Sequence, residues 1–302
     1  MKIILFEGHQ LSKLSFGTVQ LGLHYGISNT KGKTTQSNAD KIVSYLIDND
    51  LNSFDTAVAY GNSEEVLGNA LLNQKSVNII SKVKSELFTN SLENTVKESL
   101  KRLHTNKLFA LLLHDSNLLT HWTEENSSRI LLLQEKGLIE YFGVSIYTSE
   151  EFDKAIANPL IKVIQIPFNL FDQRAINDQW LEKANKANKL LFIRSLFLQG
   201  LFFMDEETLQ GNLVEAIPYL KQIHTLCKKL NLSVVELAMA YVDSVVSNAV
   251  ILFGCDTLEQ ARENIQNYNN LPTIDKDTLK QINKMFSNIP EHILDPGQWS
   301  KS

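Results

Sequence analysis

The stretch Leu51-Asn52-Ser53-Phe54-Asp55-Thr56-Ala57-Val58-Ala59-Tyr60-Gly61-Asn62-Ser63-Glu64-Glu65 decides the fold. A short apolar run ends in an acid, passes through a Tyr-Gly-Asn loop and enters a helix. Leu51–Phe54 is too short for a helix and reads as a buried strand. Asn62 to Glu65 has the pattern of a capping box at a helix start. The same unit recurs outward. Further apolar runs end near Lys82, His114, Ser145, Gln165 and Ser195, so that the ends from Asp55 onward lie 27, 32, 31, 20 and 30 residues apart. Each interval holds one strand, one helix and two loops, the rhythm of parallel βαβ units.

Eight such runs are present: Leu14–Gly17, Leu51–Phe54, Val77–Ile80, Leu108–Leu113, Tyr141–Val144, Val163–Ile166, Leu190–Ile193 and Ala249–Phe253. Between them, Leu92, Val96, Leu100 and Leu103 mark one face of a helix. Residues 148–151, 233–236 and 256–259 repeat the capping pattern. Eight strands with alternating helices predict an α/β fold. It is a (β/α)8 barrel in one domain over residues 1–302, with an N-terminal extension and a C-terminal helical segment. The rival, a doubly wound open sheet, lacks a Gly-x-Gly-x-x-Gly fingerprint after its first strand.

Apolar residues are 43% of the 302, enough for a large core, which excludes a disordered chain. The net charge of −5 argues against electrostatic capture of nucleic acid or an anionic membrane. The two cysteines, Cys227 and Cys255, form no Cys-x-x-Cys pair, which argues against a disulfide framework or a cysteine metal site. Ile3–Phe6 is too short for a signal-peptide core, and no apolar run reaches the roughly 18–20 residues that span a bilayer. These features predict a soluble, cytoplasmic protein without a cysteine-based metal site, and they say little about small substrates. No feature sets an oligomeric state.

Barrel enzymes carry their chemistry at the C-terminal ends of the strands. Here three successive strands end in Asp55, Lys82 and His114, and Tyr60 follows Asp55 by five residues. Taken singly, each has an ordinary structural explanation: a solvated lysine, a hydrogen-bonded histidine. Together they fall on one rim of adjacent strands.

This set resembles the aldo-keto reductases. Phe54-Asp55-Thr56-Ala57 with Tyr60-Gly61-Asn62-Ser63-Glu64 is similar to the family's Asp-to-Tyr segment, and Lys82 and His114 match the rest of its catalytic tetrad. Gly143-Val144-Ser145, Gln165 to Asn169, and Gly254 to Asn264 resemble its later motifs. The resemblance runs from about Leu14 to Asn270. Phe16 to Gly22 and Arg194 to Gly200 resemble a bacterial subgroup associated with surface-sugar biosynthesis. The resemblance implies NADPH-dependent reduction of an aldehyde or ketone, with NAD as a possible cofactor and a sugar as a possible substrate. Tyr60 would be the proton donor, and a lysine ammonium beside it would lower its pKa. Asp55 would hold Lys82, and His114 would orient the carbonyl.

By the same resemblance Ser145 and Gln165 bind the nicotinamide carboxamide. Gly254, Gln260 and Asn264 belong to the segment that grips the adenosine end. The sequence departs from the pattern at three points. Ile146 replaces an Asn, Gln260 sits at an Arg-like position, and Arg194, followed by Ser195, replaces the Tyr that stacks on nicotinamide. A guanidinium plane can also stack on a ring; a phosphate-binding or ion-paired arginine is the alternative. His24, Tyr25 and Trp122 follow strands where a substrate wall would stand. Phe202-Phe203-Met204, in the long interval after Arg194, reads as a closing loop or as an anchored surface insertion. Cys255 reads as a small packed residue. Two other functions fit a barrel: a cofactor-binding redox sensor acting through a protein partner, and a metal-dependent sugar isomerase. Against the second, the strand ends carry no clear ligand set.

Overall fold

In the computed structural model, which describes residues 1–74 and 77–299, eight parallel strands close into a barrel. A two-stranded hairpin precedes them, of β1 (Ile3–Phe6) and β2 (His9–Ser12). The barrel strands are β3 (Leu14–Gly17), β4 (Ser53–Asp55), β5 (Asn78–Val83) and β6 (Leu108–Leu113). They continue as β7 (Ile139–Ser145), β8 (Ile161–Pro167), β9 (Leu190–Arg194) and β10 (Ala249–Phe253). β10 pairs with β3 and closes the ring. The eight expected strands are all present; β5, β7, β8 and β9 are longer than their apolar runs, β3, β6 and β10 match them, and β4 is shorter but reaches Asp55.

β6 shows how the barrel is filled. Ala110 and Leu112 join a cluster with Ile80, Val163, Phe192 and Val250, whereas Leu111 and Leu113 join the layer beneath the helices. That is the alternation of a strand with two buried faces. The hairpin belongs to the first cluster. Ile4, Phe6 and Leu11 pack onto it, so the N-terminal extension plugs one end of the barrel. Glu7 and Gly8 both have positive φ (45° and 87°), as the two-residue hairpin turn requires.

The expected helix around Leu92, Val96 and Leu100 spans Ser85–Arg102 and buries those three. The capping boxes at Thr148 and Ser233 form as expected. The other two differ. Thr257, not Asp256, caps the helix Leu258–Asn269. Asn62 makes no side-chain cap; its Oδ1 accepts instead from Lys33 Nζ at 3.0 Å, while Glu64 in the first turn accepts from Ser81 and Arg102. Helices Ile217–Leu230 and Val234–Val245 fill the long interval before β10, and Lys276–Met285 forms the C-terminal helical segment. Among the described residues, no helix is long and apolar enough to cross a membrane.

Candidate active site

The barrel register sets the rim. Asp55 lies opposite Gly17 and Ile80, Lys82 opposite Leu112, Ser145 opposite Gln165, and Arg194 opposite Pro167. Each of these polar residues therefore sits at or next to the C-terminal end of its strand. Asp55, Ser145, Gln165 and Arg194 line a cleft of about 580 Å³, and Lys82 is bonded to Asp55 at its wall.

Lys82 is 1% exposed and Asp55 3%. Lys82 Nζ donates to Asp55 Oδ1 at 2.5 Å and to the Thr56 carbonyl at 2.9 Å. Gln165 Nε2 donates to Asp55 Oδ2 at 2.9 Å. Two buried donors thus share one carboxylate, and the ammonium is fixed in place. Burial pulls the Lys82 pKa down, and the Asp55 charge opposes that shift.

Tyr60 stands over this pair. Lys82 Nζ lies 5.0 Å from its ring centroid, and the His114 ring packs edge-on at 5.4 Å. The Tyr60 loop is held by close backbone approach. A Cβ on Gly22 would lie 1.7 Å from the Tyr60 carbonyl oxygen, and Gly61 has a φ of +58°. Two glycines therefore let the β3 and β4 loops touch.

The expected lowering of the Tyr60 pKa by Lys82 is corrected here. The Tyr60 hydroxyl is pushed up, first by burial and then by the Asp55 charge, while Arg194 opposes the shift. Lys82 spends its hydrogen bonds on Asp55 and Thr56. Tyr60 is consequently a neutral hydroxyl that keeps its proton near neutral pH.

Burial lowers the His114 pKa to about 4, assisted by the charges of Lys82, Lys84 and Arg194. Its Nδ1 is buried without a hydrogen-bond partner among the described residues. His114 is expected to stay neutral from about pH 5 to 8, so activity should show no limb near the ordinary histidine value of about 6.5. A ring-nitrogen NMR titration checks this, and a His114 midpoint near 6.5 would overturn it. The sign for stability follows. The unfolded chain takes up this proton near pH 6.5 and the folded chain only near 4, so the contribution of His114 is complete above about 6.5 and is lost as pH falls to 4.

The expected cofactor residues Ser145, Gln165, Arg194, Ser195, Gly254, Gln260 and Asn264 all line the cleft, as does Tyr25. Asn169 sits behind it, where Nδ2 donates to the Ser195 carbonyl and braces a residue with a φ of +63°. Gln260 turns back, its Oε1 accepting from the Asp256 amide at 2.7 Å. His24 and Trp122 do not line the cleft. His24 pairs with the Asn29 carbonyl. Trp122 packs against Phe88 and Phe142, and its Nε1 donates to Ser127. Cys255 is buried, and that burial raises its thiol pKa. Phe202 is buried as an anchor, while Phe203 is 43% exposed and lines the cleft. Gln20, Asn29, Tyr147, Asp256 and Glu263 line it too. Of these only Tyr147 carried a sequence signal, an aromatic two residues past a strand-end serine.

A family model described as the aldo/keto reductase family matches residues 13–286. The chain belongs to this family. An uncharacterized oxidoreductase, YqkF, of Bacillus subtilis is 24% identical over 280 residues, 85% of this chain and 90% of the relative. The D-arabinose 1-dehydrogenase of Saccharomyces cerevisiae is 23% identical over 296 residues, covering 86% of each chain. Among solved structures, the holo form of a Bacillus halodurans aldo-keto reductase superposes with a TM-score of 0.77 at 18% identity, over 98% of this chain and 100% of the other. A Klebsiella pneumoniae aldo-keto reductase in complex with NADPH has a TM-score of 0.71 at 20% identity, covering 94% and 95%. The structural likenesses carry the barrel of this aldo/keto reductase; its chemistry rests on the site. Among the described residues, no group of three or more His, Cys, Asp or Glu is placed to hold a metal ion.

Proposed function

We propose that this family member is an NADPH-dependent reductase of an aldehyde or ketone, with Tyr60 as the proton donor and a sugar derivative as the substrate class. The observation that carries it is the convergence of Tyr60, the Lys82–Asp55 pair and His114 at one end of the cleft. The printed names of relatives point the same way: one is a D-arabinose dehydrogenase, another a glycerol dehydrogenase, and one neighbour was solved with NADPH.

The cleft suits a long polar cofactor. Gln20 Oε1 is buried in a residue lining it and lacks a hydrogen-bond partner among the described residues. A Cβ on Gly254 would come within 2.5 Å of Gln20 Nε2, so the absence of a side chain there lets the Gln20 amide pack against Gly254. Ser145 and Gln165 would hold the nicotinamide amide, and Asn264, midway along the helix Leu258–Asn269, the adenosine end. Bound there, the nicotinamide supplies the hydride that no side chain can. Tyr60 gives its proton to the carbonyl oxygen as negative charge develops on it. His114, neutral, donates a hydrogen bond to the same oxygen. The Lys82–Asp55 pair fixes a positive charge behind the Tyr60 ring.

Fluorescence titration with NADPH and NADH, followed by a carbonyl screen, tests the reading. Micromolar NADPH binding with Tyr60-dependent turnover is expected. Tight binding without turnover, together with a stable protein partner, would support a sensor instead, and no binding of either dinucleotide would remove both.

A further inference from the structure

The reacting end of the cleft holds a cation that no carboxylate among the described residues neutralises. Lys82 is matched by Asp55. The half-buried guanidiniums of Arg102 and Arg174 each grip a buried carboxylate, Glu64 and Asp172. Arg194 has no such partner among the described residues. Its Nη2 donates to the Ile146 carbonyl at 3.1 Å, its Nη1 to Ser195 Oγ at 3.3 Å, and its Nε is buried with no acceptor. Yet it lines the same cleft as Tyr60 and His114.

The guanidinium is also pre-positioned. Its Cζ lies 4.0 Å from the centroid of the Tyr147 ring. Stacking on an aromatic face and a carbonyl bond together leave little rotamer freedom to lose when a ligand arrives. A desolvated cation without a counter-ion is costly, so proteins keep one where a ligand supplies the anion. The charge is placed unevenly. Asp256 and Glu263 line the cleft with Gln260 and Asn264 of the helix Leu258–Asn269, whereas Arg194 stands with Tyr60 and His114.

We propose that Arg194, held against Tyr147, selects a carbonyl substrate that carries a carboxylate or phosphate group within reach of Tyr60 and His114. This rests on the reductase reading above and narrows its substrate to an anionic aldehyde or ketone. The same guanidinium could meet an anion from a second source, the phosphates of the dinucleotide, and the experiment separates the two.

The substrates are 4-carboxybenzaldehyde and its neutral counterpart 4-formylbenzamide. The wild-type protein is expected to favour the acid in kcat/KM by about 10- to 100-fold, the size of one charge-assisted contact. Arg194→Met should bring that ratio close to one, mainly through KM, and leave the NADPH Kd within about twofold. Arg194→Lys should keep part of the preference, because the charge remains while the fork and the stack are lost. Binding of 4-methylbenzoate, which has no aldehyde, is followed by ligand-observed NMR and should weaken in Arg194→Met. A wild-type ratio near one would overturn the proposal. So would an Arg194→Met that loses NADPH affinity while keeping the wild-type ratio, since the anion would then be the cofactor's. If neither aldehyde is turned over, the carbonyl screen decides the reductase reading, and 4-methylbenzoate binding alone decides the anion site: equal binding by wild type and Arg194→Met would overturn the proposal.

Discussion

Tyr60→Phe is expected to lower kcat for carbonyl reduction by about 10²–10⁴-fold, the usual contribution of a positioned general acid. Only one oxygen is removed. The ring keeps its edge-on packing against His114 at 5.4 Å and its place 5.0 Å from Lys82 Nζ. Stability should therefore change by less than about 1 kcal/mol, and the NADPH Kd should hold. The raised pKa of Tyr60 sharpens the expectation. A hydroxyl that keeps its proton suits donation to a developing alkoxide, and it makes the reverse role, as a base in alcohol oxidation, the harder one. Wild-type reduction should therefore be faster than oxidation near neutral pH, and oxidation should climb more steeply with alkali. Steady-state rates in both directions, with denaturation midpoints as a fold control, measure all of this. Near-normal turnover in a folded Tyr60→Phe would remove the acid from the scheme.

The barrel was legible because six of the eight strands announced themselves twice, by an apolar run and by a polar residue near the C-terminal end; β3 and β10 end in Gly17 and Phe253. Asp55, Lys82, His114, Ser145 and Gln165 were therefore found by spacing before any contact was known. The hairpin escaped notice although its signals were there: Ile3–Phe6 is a strand-length run, and Glu7-Gly8 is a two-residue turn. Other features depend on direction rather than order. Trp122 follows β6 as a wall residue would, but the turn Asn117–His121 delivers its ring to Phe88 and Phe142 beneath the helices. Glu64 stands in the first turn of a helix, where acids are usually solvated, and is instead 2% exposed, paired with Arg102. The sign of the Tyr60 shift depended on burial and on which acceptors Lys82 chose, and neither is written in residue order. Arg194 was visible as a departure from the family pattern. Only the structure shows that no carboxylate answers it.

Asp55→Leu is expected to destabilise the protein by about 3–5 kcal/mol, the cost of leaving one member of a buried ion pair alone. Lys82 would keep a single acceptor, the Thr56 carbonyl, at 1% exposure. The reverse variant, Lys82→Met, should cost less. Asp55 would still accept from Gln165 at 2.9 Å, and a carboxyl can take up a proton where an ammonium has to lose one. Apolar pairs of similar volume often replace buried ion pairs at little cost. The double variant Asp55→Leu/Lys82→Met should accordingly recover most of the loss, with the Gln165 amide as the one donor left unmatched. Urea denaturation of the four proteins gives the coupling directly. If Asp55→Leu falls within about 1 kcal/mol of wild type, Lys82 is not charged in the folded protein and the pair is misread. Turnover follows a different pattern. All three variants should lose it, including the double variant that folds, because Lys82→Met removes the charge behind the Tyr60 ring and Asp55→Leu removes the carboxylate that holds it in place. A pair that can be replaced for folding but not for reduction is retained for its chemistry.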